Sequence, residues 1–209
     1  MTEHLLVLTR FPAPGRAKTR FIPLLGPDGA ADLSRRLSEH TVAVARAWCA
    51  GDPDRTFTVH ITGADPNACR CWLGDDLKYE SQGDGDLGVR MDRALSGALI
   101  SGAVRTVLVG CDCPRNDVAN LERAFARLVD HDLVLGPATD GGYYLIGTTC
   151  PRPTLFQGLA WGTSEVLSGT LVRAEHEGLR TATLATLPDV DRPADLPAAE
   201  AAMDPATRG

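Results

Sequence analysis

The sequence predicts an α/β protein whose sheet is mostly parallel. Short, wholly apolar runs recur along the chain, stretches of helical periodicity separate them, and the residues richest in chemistry stand just after the runs. Continuous apolar runs suit strands buried on both faces, and alternation with helices is the pattern of a layered α/β sandwich.

"HLLVLT" opens the chain as a buried strand, and "FTVHIT" (57–62) repeats the theme. Between them Leu33, Leu37, Val44 and Trp48 recur at helical intervals, with Asp28 the expected N-cap and Gly51 the stop. Helical patterns also cover 87–99, 118–129 and 164–177, with Asp117 as a cap for the second of these. "TVLVGC" (106–111) and "DLVLGP" (132–137) are further buried strands, and "GGYYLIGTT" (141–149) is a candidate antiparallel one. The Ala-rich tail after Pro197 reads as a helix that frays.

The 209 residues, 44% of them hydrophobic, are enough for one well-filled core and too few for two ordinary domains, so a single domain over 1–209 is expected. A formal charge of -6 argues against a nucleic-acid or anionic-membrane surface, so any anion site must be local. The first residues hold only four consecutive apolar positions, too few for a signal core or a membrane span, and a cytoplasmic protein with free thiols is expected. Cys69/Cys71 and Cys111/Cys113 each have one intervening residue, unlike the usual zinc spacing, which favours buried thiols over a four-thiolate site. Five scattered histidines and the lack of a G-x-S-x-G elbow argue against hydrolase chemistry.

The stretch "TRFPAPGRAKTR" (9–20) follows the first strand. Arg10, Arg16, Lys18 and Arg20 lie there with no acidic residue between Glu3 and Asp28, and Gly15 lets the backbone approach a ligand. Forked guanidiniums and a movable ammonium suit phosphate, although the P-loop pattern is missing. Asp112 ends the strand "TVLVGC", where ligands of open parallel sheets bind, and a carboxylate facing an anion loop is placed for a hard cation such as magnesium or manganese. Asp140 follows "DLVLGP" in the same way. "GDGDLG" (83–88) matches a dinucleotide fingerprint by letter only, since it does not follow the first strand and its acids would repel pyrophosphate. Gly85 and Asp86 there could instead meet a base or a sugar hydroxyl. Asp189, Asp191 and Asp195 in "LPDVDRPADL" read on their own as the start of a helix.

Together, "TRFPAPGRAKTR", "QGDGDLGVRM", "VGCDCP", "GPATDGGYYLIG", "WGTSEVL" and "DVDRPADL" resemble, in order and over nearly the whole chain, a bacterial family of GT-A-fold proteins. Some of its members are described as glycosyltransferases of arsenosugar biosynthesis. The resemblance implies a nucleotide-diphospho-sugar transferase-like three-layer sandwich. It further implies that Arg10, Lys18 and Arg20 contact a diphosphate, that Asp112 and Asp191 hold Mg2+ or Mn2+, and that Asp140 and Tyr143 lie toward the sugar or acceptor. Val89 and the pair Arg115-Asn116 depart from the family pattern, and both bear on the fit of the acceptor.

The function these readings lead to is a metal-dependent glycosyltransferase with a nucleotide-sugar donor and a small-molecule acceptor. A nucleotidyltransferase that releases pyrophosphate is the alternative, because such enzymes share the fold and a similar late acidic segment. A non-catalytic nucleotide- or sugar-binding module is the third.

Overall fold

A computed structural model describes residues 2–204, the side chain of Pro66 excepted. Seven strands form one sheet: β1 (Glu3–Arg10), β2 (Arg55–Thr62), β3 (Lys78–Ser81), β4 (Arg105–Gly110), β5 (Leu133–Pro137), β6 (Tyr143–Thr148) and β7 (Thr181–Thr183). Their order is β3-β2-β1-β4-β6-β5-β7. β1 pairs in parallel with both β2 and β4, β2 with β3, and β5 with β7, while β6 runs antiparallel between β4 and β5. The sheet is mostly parallel, and the strand read as antiparallel is so.

The apolar runs are explained by two cores. On one face Leu5, Val7, Val107, Val109, Val134 and Leu145 pack beneath α1 (Ile22–Ala50), α2 (Pro66–Leu73) and α4 (Val118–Arg127). On the other, Leu6, Leu8, Leu108, Leu133, Leu135 and Ile146 pack beneath α3 (Leu87–Ile100) and α5 (Val166–His176). Successive residues of a strand point to opposite faces, so a strand covered on both sides must be apolar at every position. Trp48 of α1 is fully buried, stacked 4.5 Å from Phe125 of α4.

One expectation on α1 needs correction. Asp28 does not cap it: the helix runs from Ile22 and is broken at Gly26, which has φ 69° and ψ 171°, with Pro27 starting the second stretch. Gly26 and Pro27 supply the break, and Asp28 falls one position inside it. Asp117 does cap α4, accepting from the Asn120 backbone N–H at 2.7 Å.

Three elements escaped the sequence reading. α2 is eight residues long, started by Asp65, which accepts from the Asn67 N–H, and by Pro66. β3 and β7 are edge strands of four and three residues, the former with exposed Lys78 and half-buried Glu80 around buried Tyr79. Such short edges, that of β3 charged as well, resist pairing with other chains and carry almost no periodic signal. The tail forms α6 (Leu196–Met203), which packs with Val190 on Phe21, Leu33 and Leu37; residues 205–209 lie outside those described. No helix among the described residues is long and apolar enough to cross a membrane.

Candidate active site

β1 is the strand where the chain order reverses: β2 and β3 lie on one side of it and β4 on the other. A crevice opens beyond the carboxyl ends of strands at such a point. There the structure has a cavity of about 460 Å³. Of the residues singled out from sequence, Arg10, Arg16, Lys18, Asp112, Asp140 and Tyr143 line it.

The basic loop folds back on itself, with the Arg16 and Ala17 N–H groups donating to Ala13 O and Gly15 at φ 74°. Lys18 takes a left-handed backbone, φ 46°, the one non-glycine residue to do so among those described. A lysine there costs energy that the surroundings must offset, a pattern found at ligand sites. Its side chain is only 10% exposed; the ammonium pairs with Asp112 Oδ1 at 2.9 Å and donates to Val190 O. The Val190 N–H in turn donates to Asp112 O at 2.7 Å. Lys18 and Val190 thereby tie three distant segments together: the loop after β1, the end of β4 and the segment around 190.

Asp112 projects to solvent between Cys111 and Cys113, both buried in the core. Burial pushes the Cys111 thiol up to about 11 and the Cys113 thiol up to about 12. All six cysteines are free.

Asp140 sits in a tight turn between β5 and β6, where it accepts from the Gly142 N–H at 2.8 Å. Gly141 has φ 90°, and a Cβ there would meet the Ser164 backbone oxygen at 2.3 Å, so only glycine fits. Tyr143 starts β6, and burial drives its phenol upward, so it stays protonated.

The remaining candidates lie outside the lining. Asp86 caps α3 by accepting from the Val89 N–H at 2.9 Å, which engages its carboxylate, and Gly85 shapes the turn before it at φ 110°. Gly15 shapes the basic loop. Arg20 donates to Asp191 in an ion pair beside the cavity. The acid that does line the cavity from the late segment is Asp189, which accepts from Thr139 Oγ1 at 3.2 Å. Its carboxyl is held above the usual range, first by burial and then by the negative charge of Asp140. Sequence reasoning had Asp189 in view but chose Asp191 through the resemblance, and Asp191 lies outside the lining. The sequence reading did not single out Gln82 and Trp161, although each opens a motif that carries the resemblance, and it missed Ser34 and Ser38, which carry no local pattern; all four line the cavity.

The donor set fits a hard divalent cation. Asp112, Asp140 and Asp189 bring carboxylate oxygens, hard donors, to one cavity. No three His, Cys, Asp or Glu among the described residues converge into a ready metal cage. That suits an ion bound by one or two carboxylates and completed by phosphate oxygens.

A family profile matches residues 44–163, more than half of the chain. The chain belongs to the family described as "Uncharacterized protein conserved in bacteria" (DUF2064). A crystal structure from Desulfovibrio desulfuricans G20, whose assignment as a nucleotide-diphospho-sugar transferase is itself provisional, is 30% identical, with a TM-score of 0.85 over 92% of this chain and 84% of that one. The 4-diphosphocytidyl-2C-methyl-D-erythritol synthase of Anaerococcus prevotii aligns at a TM-score of 0.61 and 9% identity, covering 96% of this chain and 95% of its own. Glucosyl-3-phosphoglycerate synthase of Mycobacterium tuberculosis, solved with Mn2+, UDP and phosphoglyceric acid, aligns at 0.56 and 12%, covering 97% and 77%. At these identities the last two speak to fold alone, which is the nucleotide-diphospho-sugar transferase-like α/β sandwich. No curated protein matches the sequence.

Proposed function

We propose that this chain is a metal-dependent glycosyltransferase that moves a sugar from a nucleotide diphosphate donor to a small acceptor. The observation that carries the reading is the meeting of Lys18 with Asp112 at the β1/β4 crevice, in a cavity that Arg10, Arg16, Asp140 and Asp189 also line. A site with cations on one wall and carboxylates on the other suits a diphosphate bridged by a metal ion. The likeness to the Desulfovibrio protein favours sugar transfer over nucleotidyl transfer.

Arg10, Arg16 and Lys18 would hold the diphosphate oxygens, and Arg20 could join them from its pair with Asp191. Asp112 would be the principal cation ligand, joined by Asp189 from the cavity wall or by Asp191. A bound Mg2+ or Mn2+ would supply charge neutralisation on the departing diphosphate. The basic residues stabilise the same charge as the glycosidic bond breaks. Asp140, which lines the cavity, would accept the proton of the acceptor hydroxyl, and Tyr143 lines the same cavity. Nucleotidyl transfer from a triphosphate is the second reading, because the 4-diphosphocytidyl-2C-methyl-D-erythritol synthase shares the fold.

A thermal-shift screen of nucleoside diphosphates with and without manganese tests the reading. At a hundred times the dissociation constant, a ligand bound to the native state alone adds about 2.7 kcal/mol of stability. Asp112→Asn is expected to abolish the manganese-dependent part of the shift. A full shift in that variant would remove Asp112 from the metal site.

A further inference from the structure

We infer that Gln82 is a specificity-determining residue that reads the nucleobase of the donor through its side-chain oxygen. The inference rests on the nucleotide reading above and deepens it. Gln82 follows β3, is 6% exposed and lines the cavity. Its Nε2 donates to Thr9 O at 2.8 Å and to His60 O at 3.0 Å, the backbone carbonyls at the ends of β1 and β2. Both partners are acceptors, so only the amide nitrogen can face them, and both of its hydrogens are engaged. The amide therefore cannot flip without setting oxygen against two carbonyl oxygens. Its own backbone is pinned as well, the N–H by Ile61 O at 2.9 Å and the carbonyl by Arg93.

What is left is Oε1, which accepts no hydrogen bond among the described residues and stays reachable from the cavity that Gln82 lines. An acceptor held in fixed orientation at the cavity wall, with both amide hydrogens engaged elsewhere, selects a donor rather than an acceptor from the ligand. The sheet order says which part of the ligand arrives there. The basic residues and Asp112 hold the phosphates beside β1 and β4, while Asp140 and Tyr143 mark the transferred group on the β6 side. Gln82, bridging β1 and β2, stands on the opposite side of the phosphates, where the nucleoside must extend. Leu87 and Met91 on α3 add apolar surface to the same cavity, suited to the flat face of a base. The chemistry selected is an N–H group on the base edge. A ribose hydroxyl could also donate to Oε1, and the test separates the two.

The experiment measures, by titration calorimetry with manganese, the affinities of UDP, CDP, GDP, ADP and inorganic pyrophosphate for the wild-type protein and Gln82→Met. The tightest nucleotide is compared with its 2′-deoxy and ring-N-methyl or amino-N-methyl analogues. In the wild type, one base is expected to bind best and methylation of its N–H to weaken binding about five- to tenfold, the size of one hydrogen bond. In Gln82→Met the preference among bases is expected to flatten and the methylation penalty to vanish, while pyrophosphate affinity stays unchanged. A purely structural glutamine would lower every affinity, pyrophosphate included, without changing the ratios between bases, and that result overturns the inference. It is equally overturned if Gln82→Met removes only a 2′-deoxy penalty, which assigns Gln82 to the ribose. Failure of the wild type to bind any nucleotide or pyrophosphate would instead refute the function proposed above.

Discussion

Lys18 Nζ lies 2.9 Å from Asp112 Oδ1, a nearly covered ammonium against a mostly exposed carboxylate. This pair joins the proposed phosphate holder to the proposed metal ligand. Without nucleotide the two satisfy each other, so a cation arriving alone must compete with Lys18. In the proposed complex the diphosphate would compete for Lys18 and so free Asp112 to hold the cation.

Lys18→Met is therefore expected to do two opposite things. Manganese alone should bind more tightly, because its competitor is gone. Nucleoside diphosphate should bind more weakly, by about 1.5–3 kcal/mol for a sheltered charge-assisted contact. Titration calorimetry of each ligand alone measures both. Loss of both affinities together would mean that Lys18 supports the loop's shape rather than its charge.

Gly141→Ala probes the turn that positions Asp140. The left-handed backbone costs a non-glycine residue about 1–3 kcal/mol, and the 2.3 Å approach of Ser164 O adds a clash with backbone that cannot swing aside. The turn also anchors α5, through the Leu167 N–H donating to Gly141 O at 3.0 Å. A lowered melting temperature with loss of turnover is expected. Wild-type stability in this variant would contradict the geometry.

His4 shapes stability on the acid side. Its two ring nitrogens meet Thr56 and Thr58 hydroxyls at 2.7 and 3.0 Å. Its pKa falls to about 4, first through burial and then through Lys78 and His60. The unfolded chain takes up a proton near pH 6.5 and the native one only near 4, so stability is lost as pH falls between those values. The effect is at most about 3 kcal/mol, reduced by solvent screening. His60 is shifted the same way, chiefly by burial. Chemical denaturation across this range should show a shallower slope in His4→Gln; an unchanged slope would exclude His4 as a contributor.

The strands and long helices were legible in the sequence because burial on both faces forces unbroken apolar runs, and helix faces force their own spacing. β3, β7 and α2 were not, being too short to repeat a pattern. Within the site, Arg10, Lys18, Asp112 and Asp140 could be found because each stands at or just after the end of a strand. Gln82 also stands just past a strand, but of four residues, so position gave no warning. Asp189 and Asp191 show a different limit. Two residues apart in one segment, they differ in what they face: one lines the cavity and the other pairs with Arg20. That choice depends on where a loop 170 residues away in sequence has folded, which spacing alone does not encode.

Asp140 and Asp112 together make the central claim measurable in one assay. The purified protein is offered nucleotide-sugars and nucleoside triphosphates, each with manganese and a panel of small acceptors, and the released product is identified. The account predicts acceptor-dependent release of nucleoside diphosphate from a nucleotide-sugar, lost in Asp112→Asn and reduced about 10²–10⁴-fold in Asp140→Asn, the range for a general base. Acceptor-dependent release of pyrophosphate from a triphosphate, lost in Asp112→Asn, would contradict it and make the protein a nucleotidyltransferase.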